Sequence, residues 1–208
     1  MVEVTIAAPR ARRTRADGER TRRAILREAV SLATVDGLEG LTIGNLADAL
    51  GMSKSGLYAH FGSKQELQLA TVEEADRIFT DEVVSPAVTA PAGAGQLRAL
   101  CEAFFQHLER RTFPGGCFFA GATLEMSTRP GPVRERIARF QAEFGGLIRR
   151  FAAEAITRGE LPADEDADLL AFEVGGVLLA ADAGFVLSGD PAALAVPRRV
   201  VARRLGTA

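Results

Sequence analysis

The sequence has few of the residues that build metal sites and disulfide bonds. Among its 208 residues are two cysteines, Cys101 and Cys117, and two histidines, His60 and His107. The cysteines are not spaced as a C-x-x-C pair and the histidines lie far apart, so the sequence predicts neither a metal site nor a disulfide framework. No pattern indicates a cofactor. This cysteine usage fits a reducing, cytoplasmic compartment.

Long apolar runs are also missing. A membrane span needs roughly 18 consecutive apolar residues, and the longest candidate, Val174 to Leu187, is interrupted by glycines and by Asp182. The N-terminus is rich in arginine but lacks the apolar segment of a signal peptide. We therefore expect a soluble protein with no membrane partner, in which residues 1–18 form a disordered basic arm.

Catalytic patterns are absent as well. No Ser-His-Asp arrangement, pair of carboxylates or phosphate-binding loop can be assembled from the sequence. An enzyme of small-molecule metabolism is therefore the least favoured class, and we predict that the protein is not an enzyme.

Charge is distributed unevenly along the chain. The net charge is -2, but residues 1–64 hold 10 Lys and Arg against 7 Asp and Glu, whereas residues 65–208 hold 15 against 20. A basic N-terminal part can neutralise phosphates, and an acidic remainder would be kept away from DNA. The alternative is a solvated charge run, because basic tails are common.

The apolar periodicity predicts an all-α fold. Apolar residues recur at helical spacing, and no stretch alternates with period 2 between hairpin turns. Ser63 and Glu66 predict a capping box at the start of a long fourth helix. A Pro- and Gly-rich segment, residues 85–95, is predicted to be a loop. The predicted helices cover residues 20–35, 42–50, 53–60, 63–84, 96–112, 118–127, 132–157, 163–187 and 191–205.

The segment from Leu41 to Phe61 has the organisation of a helix-turn-helix. Thr42 can cap an eight-residue helix, Gly51 supplies the turn, and Ser53 begins a second helix short enough to enter a major groove. The apolar residues of the segment account for a small core. Its polar residues need another explanation.

Four polar side chains of the second helix are not needed for packing. Lys54, Ser55, Tyr58 and His60 can all donate hydrogen bonds to phosphates or base edges. Lys64 follows in the first turn of the fourth helix, where its charge opposes the helix dipole and a phosphate would explain its position. This grouping indicates contact with DNA.

The block GLTIGNLADALGMSKSGLYAHFGSKQEL, Gly40 to Leu67, resembles the DNA-binding region of the TetR family. The resemblance implies a helix-turn-helix domain over residues 19–66, joined by the fourth helix to a helical ligand-binding and dimerisation domain over residues 67–208. It also implies a homodimer that binds double-stranded operator DNA. The residues expected to contact DNA are Thr42, Ser53, Lys54, Ser55, Gly56, Tyr58, His60 and Lys64.

Gly44 departs from the family pattern. Many relatives carry a longer, often basic residue there that reaches a base, and glycine offers no side chain. Sequence readout is then expected to depend more on Lys54, Ser55 and the basic arm. The arm could follow the minor groove, or it could serve only as a solubilising tail.

Phenylalanines cluster in the C-terminal part of the chain. A ligand site in a helical bundle is mostly apolar with a few polar groups, so we expect a pocket for a small apolar or amphipathic effector. Cys117 is either a redox-sensitive thiol or a small buried side chain, and the lack of a basic neighbour favours burial. The predicted lining residues are Phe104, His107, Phe118, Glu125, Phe140, Gln141, Phe144, Phe172 and Glu173.

The last two predicted helices, Ala163 to Leu187 and Pro191 to Leu205, have apolar faces wider than a bundle requires. Small residues would allow close approach of a twofold-related copy. In TetR-like proteins this pair of helices builds a four-helix dimer interface, so the homodimer is predicted to form here. A charge at Val177 or Leu178 is expected to produce monomers.

The leading hypothesis is a repressor that a small-molecule effector releases from a palindromic operator. A rigid fourth helix that reaches both domains would carry the change between them. A ligand-independent DNA-binding regulator and an activator are the alternatives, because both would share the same N-terminal half.

Overall fold

The structure is a computed structural model that describes residues 15–206, and this part of the chain is helical without any strand. The predicted all-α fold with an N-terminal helix-turn-helix is confirmed. A π-helical turn, Thr80–Val84, joins α4 to α5, and a 3-10 turn, Pro191–Leu194, precedes α10. The helices are α1 (Arg15–Gly40), α2 (Ile43–Leu50), α3 (Lys54–Phe61), α4 (Lys64–Phe79), α5 (Ser85–Val88), α6 (Ala94–Glu109), α7 (Phe118–Met126), α8 (Pro132–Thr157), α9 (Ala167–Ser188) and α10 (Ala195–Arg204).

The structure corrects two of the predicted segments. Residues 1–14 of the predicted arm lie outside the described residues, but residues 15–18 belong to α1. The predicted loop 85–95 is wrong in its first part, because Pro86 lies in the first turn of α5, where a helix needs no N–H donor. Helical structure therefore continues from Lys64 to Val88.

Only half of the predicted capping box at the start of α4 forms. Ser63 Oγ accepts a hydrogen bond from the Glu66 N–H at 3.1 Å. The Ser63 N–H donates instead to the Phe61 carbonyl at 2.7 Å, so the Glu66 side chain is not needed there. The reciprocal capping box occurs at α2, where the Thr42 N–H donates to Asn45 Oδ1 and the Asn45 N–H donates to Thr42 Oγ1.

Helix α4 contacts both parts of the molecule. It packs on α1 and on α8. Arg136 of α8 donates to Glu73 at 2.7 Å and also to Asp76, and these carboxylates raise the pKa of the guanidinium. The charged contacts fix the middle of α4 against the C-terminal bundle.

Helix α9 is apolar on more than one side. By length and composition it is the one helix within residues 15–206 that could cross a membrane. In the structure it packs on α6, α8 and α10 and carries the buried Asp182. The face that no described residue covers bears Leu169, Phe172, Leu179, Val186 and Leu187.

Candidate functional site

Helix α3 presents a polar face to solvent. Ser53 caps it by accepting a hydrogen bond from the Gly56 N–H at 3.2 Å. Leu57 and Phe61 are buried, so the intervening residues are directed outward. Tyr58 is 58% exposed, so packing within the protein covers less than half of its side chain. The exposed residues that the sequence predicted to contact DNA are Thr42, Ser53, Lys54, Ser55, Tyr58 and His60.

The Lys54 side chain extends from α3 to Gly44 of α2. A Cβ at Gly44 would lie 3.6 Å from Lys54 Nζ, so the lysine reaches across α2 at this position. Among the described residues, the Lys54 ammonium has no ion-pair partner. A basic group therefore occupies the surface beside Gly44, supplied by α3.

Lys64 has a protein partner that the sequence analysis missed. Its ammonium donates to the Glu39 carbonyl at 2.7 Å and to the Glu39 carboxylate at 2.9 Å. The hydrogen bond from Lys64 lowers the pKa of the Glu39 carboxyl. This ion pair explains a cation at the start of α4 without any phosphate, so the position of Lys64 in the helix does not by itself indicate a DNA contact.

An aromatic cavity of about 410 Å³ lies between α4, α6, α7, α8 and α9. Its floor is formed by packed rings, with Phe79 centred 5.3 Å from Phe140 and 5.2 Å from Phe144. Its polar groups include Gln141, whose amide donates to Thr123 Oγ1 at 2.7 Å. Phe172, 82% exposed, stands at the mouth. The cavity suits a largely apolar molecule that offers one or two polar atoms.

The structure brings five of the nine predicted pocket residues to this cavity. They are Phe104, Phe140, Gln141, Phe144 and Phe172.

The other four do not line it, because each has another partner. His107 is buried against Phe79, where it contacts Glu82 at 2.8 Å, and burial lowers its pKa. Glu173 receives a hydrogen bond from Arg204, and Phe118 packs in the core beside Phe119. Glu125 accepts hydrogen bonds from the end of α1.

Several lining residues were not predicted. Phe79 comes from α4, the helix that follows α3, and Phe119 stacks on Phe140 at 3.3 Å between ring centroids. Gly145, Gly175 and Gly176 leave space in the walls, since a Cβ at Gly145 or Gly175 would meet nothing within 4 Å. The cluster of phenylalanines was the available signal, and it did not reveal which rings face a cavity.

Cys117 borders the cavity as a buried thiol. Burial and the neighbouring Asp182 raise its pKa to about 12, which disfavours the reactive thiolate. Its N–H donates to Asp182 Oδ1 at 2.7 Å. These observations favour the packing interpretation over a redox sensor.

Asp182→Asn is expected to stabilise the protein at neutral pH. Burial raises the pKa of Asp182 from 3.8 to about 6, so the folded state binds a proton that the unfolded state releases. Stability from this group is therefore complete below pH 4 and lost as pH rises through about 6, a change of up to about 3 kcal/mol. Urea unfolding at pH 4.5 and pH 8 checks this: the gain should appear mainly at pH 8. Equal gains at both values would contradict it.

Comparisons with known proteins cover both parts of the chain. A model of bacterial regulatory proteins of the tetR family matches residues 25–71, and a model of the tetracyclin repressor-like C-terminal domain matches residues 93–201. The transcriptional regulator TcmR of Streptomyces glaucescens is 30% identical over 140 residues, which are 64% of this chain and 60% of that protein. The matched region thus spans less than two thirds of that relative.

Solved structures share the whole architecture. A TetR regulator from Chloroflexus aurantiacus superposes with a TM-score of 0.82 at 26% identity, over 90% of this chain and 95% of that one. AibR, solved with isovaleryl coenzyme A and operator DNA, superposes with a TM-score of 0.72 at 24% identity, over 88% and 97%. Because both halves match and the helix-turn-helix is in place, the chain belongs to the TetR family and is a DNA-binding transcriptional regulator rather than an enzyme.

Proposed function

We propose that the protein is a repressor that binds a palindromic operator as a homodimer and is released by a small apolar or amphipathic effector in the aromatic cavity. The observation that carries the proposal is the position of Phe79. Its ring lines the cavity, and its helix begins at Lys64, next to the recognition helix. A molecule that displaces this ring acts on the same rigid element that supports α3.

The operator half of the proposal rests on the exposed face of α3. Lys54 and Ser55 lie near its N-terminus, where recognition helices contact base edges, and Tyr58 and His60 lie farther along. A recognition helix of this length makes too few contacts to hold DNA alone. A pair of them, about 34–36 Å apart, would read two half-sites of a palindrome.

Lys54→Ala is expected to change base preference, whereas Lys64→Ala should weaken binding to all sequences alike. Lys54 lies on the exposed face of α3 without an ion-pair partner among residues 15–206, and a base contact is worth about 1–3 kcal/mol. Lys64 already forms an ion pair with Glu39. Its replacement should therefore reduce the slope of log binding constant against log salt concentration by at most about 1. Selection from a random duplex pool at two salt concentrations measures both effects. Equal, sequence-blind losses would remove Lys54 from base readout.

The proposed effector site is supported by the aromatic cavity and by an adjoining groove of different chemistry. A second groove, about 420 Å³, shares Gln141, Gly145 and Phe172 with the aromatic cavity and adds Arg149 and Asp168. An amphipathic molecule could place its apolar body among the rings and its polar end in this groove. AibR was solved with isovaleryl coenzyme A, a molecule with such a division between an apolar acyl group and a charged body.

The homodimer rests on the uncovered apolar face of α9 together with Val196 and Val200 of α10. Large exposed apolar patches mark interfaces, and a second copy offers the same face. Phe172 and Leu179 belong both to this face and to the cavity lining. Dimerisation would therefore cover the cavity mouth, and we place the dimer in the cytoplasm, where DNA is accessible.

Calorimetry with a ligand found by thermal-shift screening tests the release. The screen compares the wild-type protein with Gly145→Leu, whose side chain would enter the cavity. A compound that stabilises only the wild-type protein is then titrated into free protein and into the protein–DNA complex. By thermodynamic linkage, a ligand that weakens DNA binding by a factor of about 5–150 must bind the protein–DNA complex more weakly than the free protein by the same factor. Equal affinities would indicate a ligand-independent regulator, and a reporter assay in which the protein raises transcription would indicate an activator.

A further inference from the structure

We propose that Glu125 is a positioning residue for DNA binding: its carboxylate holds the end of α1 and, through it, the Lys64 side of the DNA-reading unit, by which we mean α1 to α3 and the first turn of α4. The same contact joins that unit to the cavity wall, a regulatory role that rests on the proposed function. Glu125 lies on α7, far from α3 in the sequence, and no DNA-contacting role is needed for it.

The carboxylate of Glu125 binds two backbone donors. It accepts from the Leu38 N–H at 2.7 Å and from the Glu39 N–H at 2.8 Å, one on each oxygen. These donors are available because Gly37, with φ +78°, interrupts the hydrogen-bond ladder of α1. A Cβ at Gly37 would lie 2.9 Å from both carboxylate oxygens, so the glycine also gives Glu125 its space. Two bonds to one charged acceptor define the position of the α1 end.

The opposite side of the same two residues holds α4. The Leu38 carbonyl accepts from Gln68 Nε2 at 2.7 Å, and the Glu39 carbonyl accepts from Lys64 Nζ at 2.7 Å. Residues 38 and 39 thus face α7 with their N–H groups and α4 with their carbonyls. A displacement of Glu125 would be passed to Lys64 and to the start of α4, directly after the recognition helix.

On its other side, α7 is a wall of the cavity. Ala120, Thr123 and Leu124 line it, and Glu125 follows directly. The bond from Gln141 to Thr123 joins α7 to α8 across the cavity. A molecule that competes for the Gln141 amide, or separates α7 from α8, shifts the short helix that carries Glu125. This route reaches the start of α4 through the end of α1, whereas the route from Phe79 runs along α4 itself.

Binding of a DNA duplex, selected from a random pool by the wild-type protein, tests the positioning role. We expect Glu125→Ala to weaken binding roughly tenfold, and Glu125→Gln to weaken it less, because the amide oxygen can still accept one bond. Glu143→Ala, the loss of an exposed glutamate of α8, is the control. In NMR hydrogen exchange the Leu38 and Glu39 amides of Glu125→Ala should exchange faster, while those in the middle of α8 stay protected. That pattern separates a local release from general unfolding.

A double variant tests the route. If Glu125 acts through Lys64, then Glu125→Ala combined with Lys64→Ala should bind no more weakly than about twofold below the weaker single variant. Additive losses, or unchanged binding by both Glu125 variants, would overturn the inference.

The proposed function can fail separately. A wild-type protein whose screened ligand leaves DNA affinity unchanged would overturn effector release but not the positioning role. If the ligand releases wild-type protein and Glu125→Ala by equal factors, the regulatory role of Glu125 is overturned while effector release stands. If the ligand weakens DNA binding by Glu125→Ala by a smaller factor than DNA binding by the wild-type protein, both effector release and the regulatory role of Glu125 are supported.

Discussion

Ala183→Asp combined with Leu187→Asp is expected to convert the protein into a monomer that binds DNA at least about 100-fold more weakly. Leu187, which is 91% exposed, lies on the uncovered face of α9, and the exposed Ala183 lies one turn before it. Four carboxylates would then be buried without partners in a twofold interface, a cost of several kcal/mol. A monomer presents one recognition helix where the dimer presents two, and it therefore lacks the contacts to one half-site.

Light scattering and a DNA titration measure this effect together. Ala153→Asp places the same charge at an exposed alanine of α8 and should leave mass and affinity unchanged. A dimer that persists in the double variant would place the interface on another surface. Weak DNA binding by a persistent dimer would instead show that the substitutions disturb the fold.

Gly115→Ala is expected to lower the free energy of unfolding by more than about 3 kcal/mol. An added Cβ would lie 1.9 Å from the Thr34 carbonyl oxygen and 2.4 Å from its carbon, so two backbones would have to separate. The Gly115 N–H also donates to Thr34 Oγ1 at 3.2 Å. Backbone atoms cannot rotate away as a side chain can, so the cost should lie at the upper end of overpacking effects.

Urea unfolding followed by circular dichroism tests the prediction, with Gly121→Ala as the matched control. Gly121 lies in α7 and a Cβ there meets nothing within 4 Å, so alanine should stabilise the helix by about 0.5–1 kcal/mol. A Gly115→Ala variant as stable as the wild-type protein would show that α1 and the segment before α7 separate easily.

Local sequence patterns predicted the DNA-reading unit well. Thr42 and Ser53 cap their helices as expected, since a cap depends on residues within one turn. The partners of Lys64 and Glu125 could not be predicted in this way. The Glu125 bonds join residues 86 and 87 positions apart, and only the packing of α7 on α1 brings them together.

The faces of α9 show a second limit of periodicity. Val177 and Leu178 were predicted to face the partner copy, but Leu178 is 2% exposed and Val177 packs against the core. A charge at Leu178 would therefore disrupt the fold rather than the dimer alone. Because α9 is apolar on nearly all sides, its hydrophobic pattern has no single maximum and cannot assign a face.

The π-helical turn after Phe79 divides the helical segment from Lys64 to Val88 into two parts whose side chains are rotated relative to each other about the helix axis. Its Ser85 N–H bonds to the Thr80 carbonyl, five residues back, which is one residue more than an α-turn contains. Each residue advances a helix by about 100° around its axis. The side chains before the turn can therefore face the cavity, while Val83 and Ala87 face the core in an orientation that does not depend on them. The extra residue of the π-turn therefore lets α4 turn one face to the cavity while α5 turns a differently placed face to the core.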